Sequence, residues 1–156
     1  MIRVDTFSEN KFWNKEIKEA HNFFNNIVKN FPQRYQFNKK KINLTVLLSN
    51  NKNIKKLNKK FRKKNKPTDI LSFPFETRPF FKKEIYLGDI IISYEFMNKP
   101  KLLTNIQFKK KLIKIFIHGF LHLLNYDHIK LKDFQKMYKE EKKIYNLINK
   151  KIEKFI

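Results

Sequence analysis

The chain has no cysteine. Disulfides are therefore excluded, and any metal site must be built from nitrogen and oxygen ligands. Glycine occurs twice, alanine once and arginine four times in 156 residues. No apolar run reaches the length of a membrane span. The most apolar stretch, residues 112–124, is short and broken by Lys114 and two histidines. The N-terminus, MIRVDTFSEN, alternates apolar and polar residues and carries no signal-like core. These absences point to a protein of the cytoplasm, with no membrane partner. The length fits one domain, residues 1–156, large enough to bury a core without staples.

What is abundant is positive charge. Thirty-six Lys and Arg face fourteen Asp and Glu, a formal net charge of +22. A field of that sign favours polyanions, either nucleic acid or an anionic membrane surface. Lysine, asparagine, isoleucine and phenylalanine all have AT-rich codons, so base composition accounts for part of the lysine excess. Arginine is disfavoured by such a bias, and each of the four arginines carries correspondingly more information.

Hydrophobic periodicity divides the chain into alternating elements. Strands are predicted over 2–7, 42–48, 67–75 and 86–93. One helix is predicted from a cap at Ser8 or Asn10 to about Asn30, and a short one is capped by Asn50 or Asn51. A loop is predicted over 76–84. A nearly all-apolar helix follows from about Asn105 to Leu124, then an amphipathic one over about 131–154. The order implies an α+β single domain: a small, about four-stranded mixed sheet with helices packed on it. A metal site is expected at the end of the central buried helix.

That site is HGFLHLLNYDH, residues 118–128, which holds three of the four histidines. His118 and His122 are four apart and share a helix face. In a continuous helix His128 would lie roughly 15 Å along the axis from His118, on another side. The chain must turn between them, and Asn125 suits the left-handed residue that ends a helix. Three imidazoles brought together in this way suit one zinc ion and leave a coordination position open, as in catalytic sites. Zinc peptidases place a glutamate after the first histidine as the base. Gly119 stands there, which favours Lewis-acid chemistry on a phosphate over peptide hydrolysis.

With these residues in view, the chain resembles the YbeY family of bacterial endoribonucleases and rRNA maturation factors. HGFLHLLNYDH is similar to its H-G-x-L-H-L-x-G-Y-D-H signature, LNKKFRKKNKPTDILSFPFE (57–76) to its second block, and LGDIIIS (87–93) to its third. Asn125 replaces the signature's glycine. The resemblance implies a zinc-dependent, single-strand-specific endoribonuclease acting on 16S rRNA, especially its 3′ end, and in quality control of the ribosomal small subunit. It carries the metal ligands onto His118, His122 and His128, and a functional arginine onto Arg62. Arg62 is then expected to be catalytic, gripping the scissile phosphate through its guanidinium fork. Lys111 and Lys114, seven and four residues before His118, are candidates for substrate binding. Asp127 either orients a ligand ring or caps the turn. Two other readings fit the residues: a non-enzymatic RNA-binding assembly factor with a structural zinc, and a zinc peptidase with an unusual base.

Overall fold

The computed structural model describes residues 1–37, 40–75 and 83–152. Most of the loop predicted over 76–84 and the last residues of the final predicted helix lie outside the described residues. Four strands, β1 (Ile2–Ser8), β2 (Lys41–Ser49), β3 (Ile70–Pro74) and β4 (Glu84–Ser93), form one mixed sheet in the order β1-β2-β4-β3. β1 and β4 run parallel to β2, and β3 is an antiparallel edge strand.

Alternation explains how β1 and β2 each turn one face into the main core. Ile2 and Val4 of β1, and Ile42, Leu44, Val46 and Leu48 of β2, all point into the main core. The run Ile90-Ile91-Ile92 in β4 does not alternate because both faces of that strand are covered. Ile90 and Ile92 join the main core, whereas Ile91 packs with Ile54 and Leu71 on the opposite side. Opposite Leu44 the β2–β4 register slips, and β4 accommodates the extra residue at Gly88. Gly88 has φ +134°, and a Cβ there would lie 2.1 Å from the Phe73 carbonyl oxygen.

On the main-core side lie α1 (Phe12–Glu16), α2 (Ala20–Lys29), α5 (Asn105–Leu123) and α6 (Leu131–Asn149). On the other side lies α3 (Asn51–Arg62), and a single turn, α4 (Tyr94–Met97), follows β4. Asn50 caps α3 by accepting the Asn53 N–H at 2.9 Å. The single helix expected up to Asn30 is two. Ile17 is extended, and the Glu16 carbonyl that a continuous helix would bond internally accepts instead from Asn105 Nδ2 at 3.0 Å. A tertiary partner at the start of α5 thus overrides a periodicity that runs through both pieces.

α5 is the central element. Thr104 and Gln107 close a reciprocal capping box at its start. Phe108, Leu112, Phe116 and Phe120 are fully buried among Trp13, Phe24 and Phe31. Its other side lies on β3 and β4, closest at Gly119. A Cβ at that position would meet Ile70 Cδ1 at 2.6 Å, Ser72 Oγ at 3.1 Å and Ile90 Cγ2 at 3.2 Å. α6 is locked in rotation by Glu140, a buried carboxylate held by Arg34 and by the Tyr35 hydroxyl at 3.0 Å.

Candidate metal centre

α5 stops in a Schellman turn. Asn125 is left-handed, at φ +64°. Its N–H donates to the His122 carbonyl at 2.9 Å, and the Tyr126 N–H donates to the Leu121 carbonyl at 3.0 Å. The reversal returns His128 to the end of the helix it has just left. The ring centroids of His118, His122 and His128 lie 4.6, 5.4 and 5.0 Å apart pairwise, and one ligand nitrogen from each falls within 4.8 Å of the others. His118 and His122 are half-buried and His128 is exposed, so the cluster opens to solvent on the third side. It sits at the C-terminal end of a nineteen-residue helix, the end whose dipole favours a cation.

The outer nitrogens fix what the inner ones can do. His122 Nδ1 faces the Tyr126 carbonyl at 2.9 Å, an acceptor only, so Nδ1 carries the proton and donates. His118 Nδ1 likewise donates to Glu141 Oε1 at 2.7 Å. The Nε2 atoms face each other at 3.1 Å, and when both rings are neutral both are bare lone pairs. Two lone pairs at that distance repel unless a cation lies between them. Two imidazole nitrogens on a tetrahedral zinc ion are separated by about 3.3 Å, given bonds of about 2.0–2.1 Å. The donor set, its tautomers and its spacing therefore fit a metal ion. Burial, reinforced by the neighbouring His118 ring, lowers the His122 pKa below the usual 6.5. As pH falls, His122 keeps its lone pair for a metal longer than an ordinary histidine does.

Glu141 is the residue that sequence reasoning missed. It lies on α6, one position beyond Glu140, inside a run of lysines where nothing in the periodicity distinguishes it. The clue was a pair of adjacent carboxylates in so basic a helix. Asp127, weighed both for orienting a ring and for capping the turn, accepts the His128 N–H through Oδ1 at 2.6 Å, a turn-capping contact. Replacing Glu141 by glutamine is expected to weaken metal affinity about 10–100-fold without loss of fold, measured by competition with a chromophoric chelator.

Beside His118 opens a cavity of about 360 Å³, lined by Asp69, Phe96, Lys111, Lys114 and Glu141 among others. Lys114 reaches it with its ammonium 4.8 Å from the Tyr145 ring centre. Lys111 is turned inward. It donates to the carbonyl oxygens of Phe96 and Lys99 at 2.5 and 2.7 Å, and so braces the segment after α4 rather than presenting an open cation. Asp69 anchors the start of β3 by accepting from Thr68 Oγ1 and from the Ile70 N–H. Arg62, the exposed last residue of α3, donates to the Ser72 carbonyl at 3.1 Å on the free edge of β3. Ser72 is also one of the residues against which Gly119 packs.

Residues 7–149 match the family described as Endoribonuclease YbeY. The chain belongs to the YbeY endoribonuclease family. An endoribonuclease YbeY of Pelagibacter ubique is 65% identical over 97% of this chain and 99% of its own length. That of Buchnera aphidicola is 40% identical over 79% and 85%. The solution structure of a Thermotoga maritima protein aligns with a TM-score of 0.56 at 28% identity, covering 99% of this chain and 93% of that one. The YbeY resemblance in the three sequence blocks thus extends over nearly the full chain and to its α+β fold.

Proposed function

We propose that this YbeY-family chain is a zinc-dependent, single-strand-specific endoribonuclease. In this reading it acts in the cytoplasm on 16S rRNA, at 3′-end maturation and in late quality control of the small subunit, with residues 1–156 as one domain. One observation carries the reading: three imidazoles converge beside solvent, two of them with the outer nitrogen held by an acceptor and the inner nitrogen turned into the cluster. Zinc suits a nitrogen-only set of three, and when bound it supplies Lewis acidity and an open coordination position.

The chain's own residues do the rest. His118, His122 and His128 hold the ion. Glu141 and the Tyr126 carbonyl fix the orientation of two of the rings. Arg62 grips the scissile phosphate with the forked donors that its bond to Ser72 leaves over. Lys114, beside the cavity, attracts the adjoining backbone, and Lys111 adds charge there while its donors brace the fold. Lysines at such positions locate a strand without reading its bases. The scale of the positive charge, and the lack of any helix among the described residues long and apolar enough to cross a membrane, agree with an RNA partner.

The test is elemental analysis of the purified protein together with digestion of a 16S rRNA precursor. One zinc per chain is expected, with cutting near the 3′ end that a chelator abolishes and added zinc restores. Undiminished cutting by the metal-free protein would overturn the proposal.

A further inference from the structure

We propose that α6 carries a base-stacking platform, formed by Phe134 and Tyr138, that holds unpaired nucleobases of the RNA strand beside the metal centre. The inference rests on the RNA-cleaving reading for its substrate class.

The two rings are four residues apart on one side of α6. They lie nearly parallel, 8° between planes with centroids 6.0 Å apart, yet they are 49% and 47% exposed. The core does not require them there, because Met137, Ile144 and Ile148 supply the buried stripe of the helix. Glu141, which bonds His118, is three residues beyond Tyr138. The aromatic row therefore ends within one helical turn of the carboxylate that supports the metal centre.

Charge around the row identifies its occupant. Lys142 places its ammonium 4.8 Å from the Tyr138 ring centre. Five lysines lie along α6, whereas two of its three carboxylates are turned inward, Glu140 to Arg34 and Tyr35 and Glu141 to His118. Lys143 pairs with Glu140 at 3.5 Å, and the other four lysines outnumber Asp133, so the outward surface combines flat ring faces with an excess of positive charge. A single-stranded nucleic acid offers the complement, planar bases on a chain of phosphates. A duplex hides its base faces, so a platform of this kind favours single strands.

Binding of two fluorescent probes to the zinc-loaded full chain tests the proposal. One is a 2′-O-methyl oligouridylate and the other an abasic ribose-phosphate oligomer of equal length. The wild type is expected to prefer the base-bearing probe about tenfold or more. Phe134→Ala/Tyr138→Ala should erase that preference and leave abasic affinity unchanged. Phe134→Leu keeps apolar area but loses the flat ring, and should lose part of the preference without any risk to the fold. Tyr138→Phe should keep it. A wild type without preference, or a double variant that retains it, overturns the platform, and a protein-docking role for the same rings would produce the second result. A preference that the variants abolish in a protein that cuts no RNA would leave the platform standing and remove the nuclease reading alone.

Discussion

His122→Ala is expected to lose zinc and RNA cleavage together while the chain stays folded. Removing one of three nitrogen donors costs more than removing a supporting partner, so metal affinity should fall by more than about a hundredfold. Cutting of single-stranded RNA should drop to the level of the chelated wild type. The fold should persist because His122 is half-buried at the end of α5, beyond the packed aromatic layer of Phe108, Phe116 and Phe120. The variant also separates catalysis from assembly. An enzyme loses cleavage but still binds the small subunit through its lysines. A factor whose zinc is only structural loses both, and its circular dichroism collapses. Ribosome pelleting beside an RNA digest reads the difference.

Gly119 gives the second large effect, of opposite kind. Helix propensity favours alanine over glycine by about 1 kcal/mol at an interior position. Packing opposes it: the new Cβ would press on Ile70, Ser72 and Ile90 at once, two of them at 3.1–3.2 Å on neighbouring strands. Overpacking of this kind costs about 1–3 kcal/mol. Net of the propensity gain the cost is about 0–2 kcal/mol, so Gly119→Ala is expected to lower the melting temperature by up to about 8 °C, given about 2–4 °C per kcal/mol in a domain this large. Gly119→Glu restores the residue that a zinc peptidase uses as base, but it drives a carboxylate into an apolar helix–sheet seam. It should fail to fold rather than acquire peptidase activity. A soluble Gly119→Glu variant that digests casein would refute this account of the glycine.

The contrast between those two positions shows what could be read from the residues alone. The four strands, the all-round apolar character of α5 and the turn at Asn125 followed from local pattern, because each is set by neighbours in sequence. The histidine geometry followed for the same reason, since a helix period and one reversal determine it. Gly119 was legible only as the absence of a base. Its packing role depends on Ile70, Ser72 and Ile90, which reach it through the sheet. Glu141 and the break after Glu16 stayed hidden on the same ground: their partners, His118 and Asn105, are distant in the chain and leave no periodic trace.

Adjacent carboxylates on α6 look in different directions, Glu140 toward Arg34 and Tyr35 and Glu141 toward His118. Slipping the helix by one residue turns it about 100° and would strand both. The contact that secures the last helix against Arg34 and Tyr35 is thus also the stop that aims the carboxylate behind the ion. Cation affinity and global cohesion are consequently linked quantities: whatever tightens one is paid back in the other.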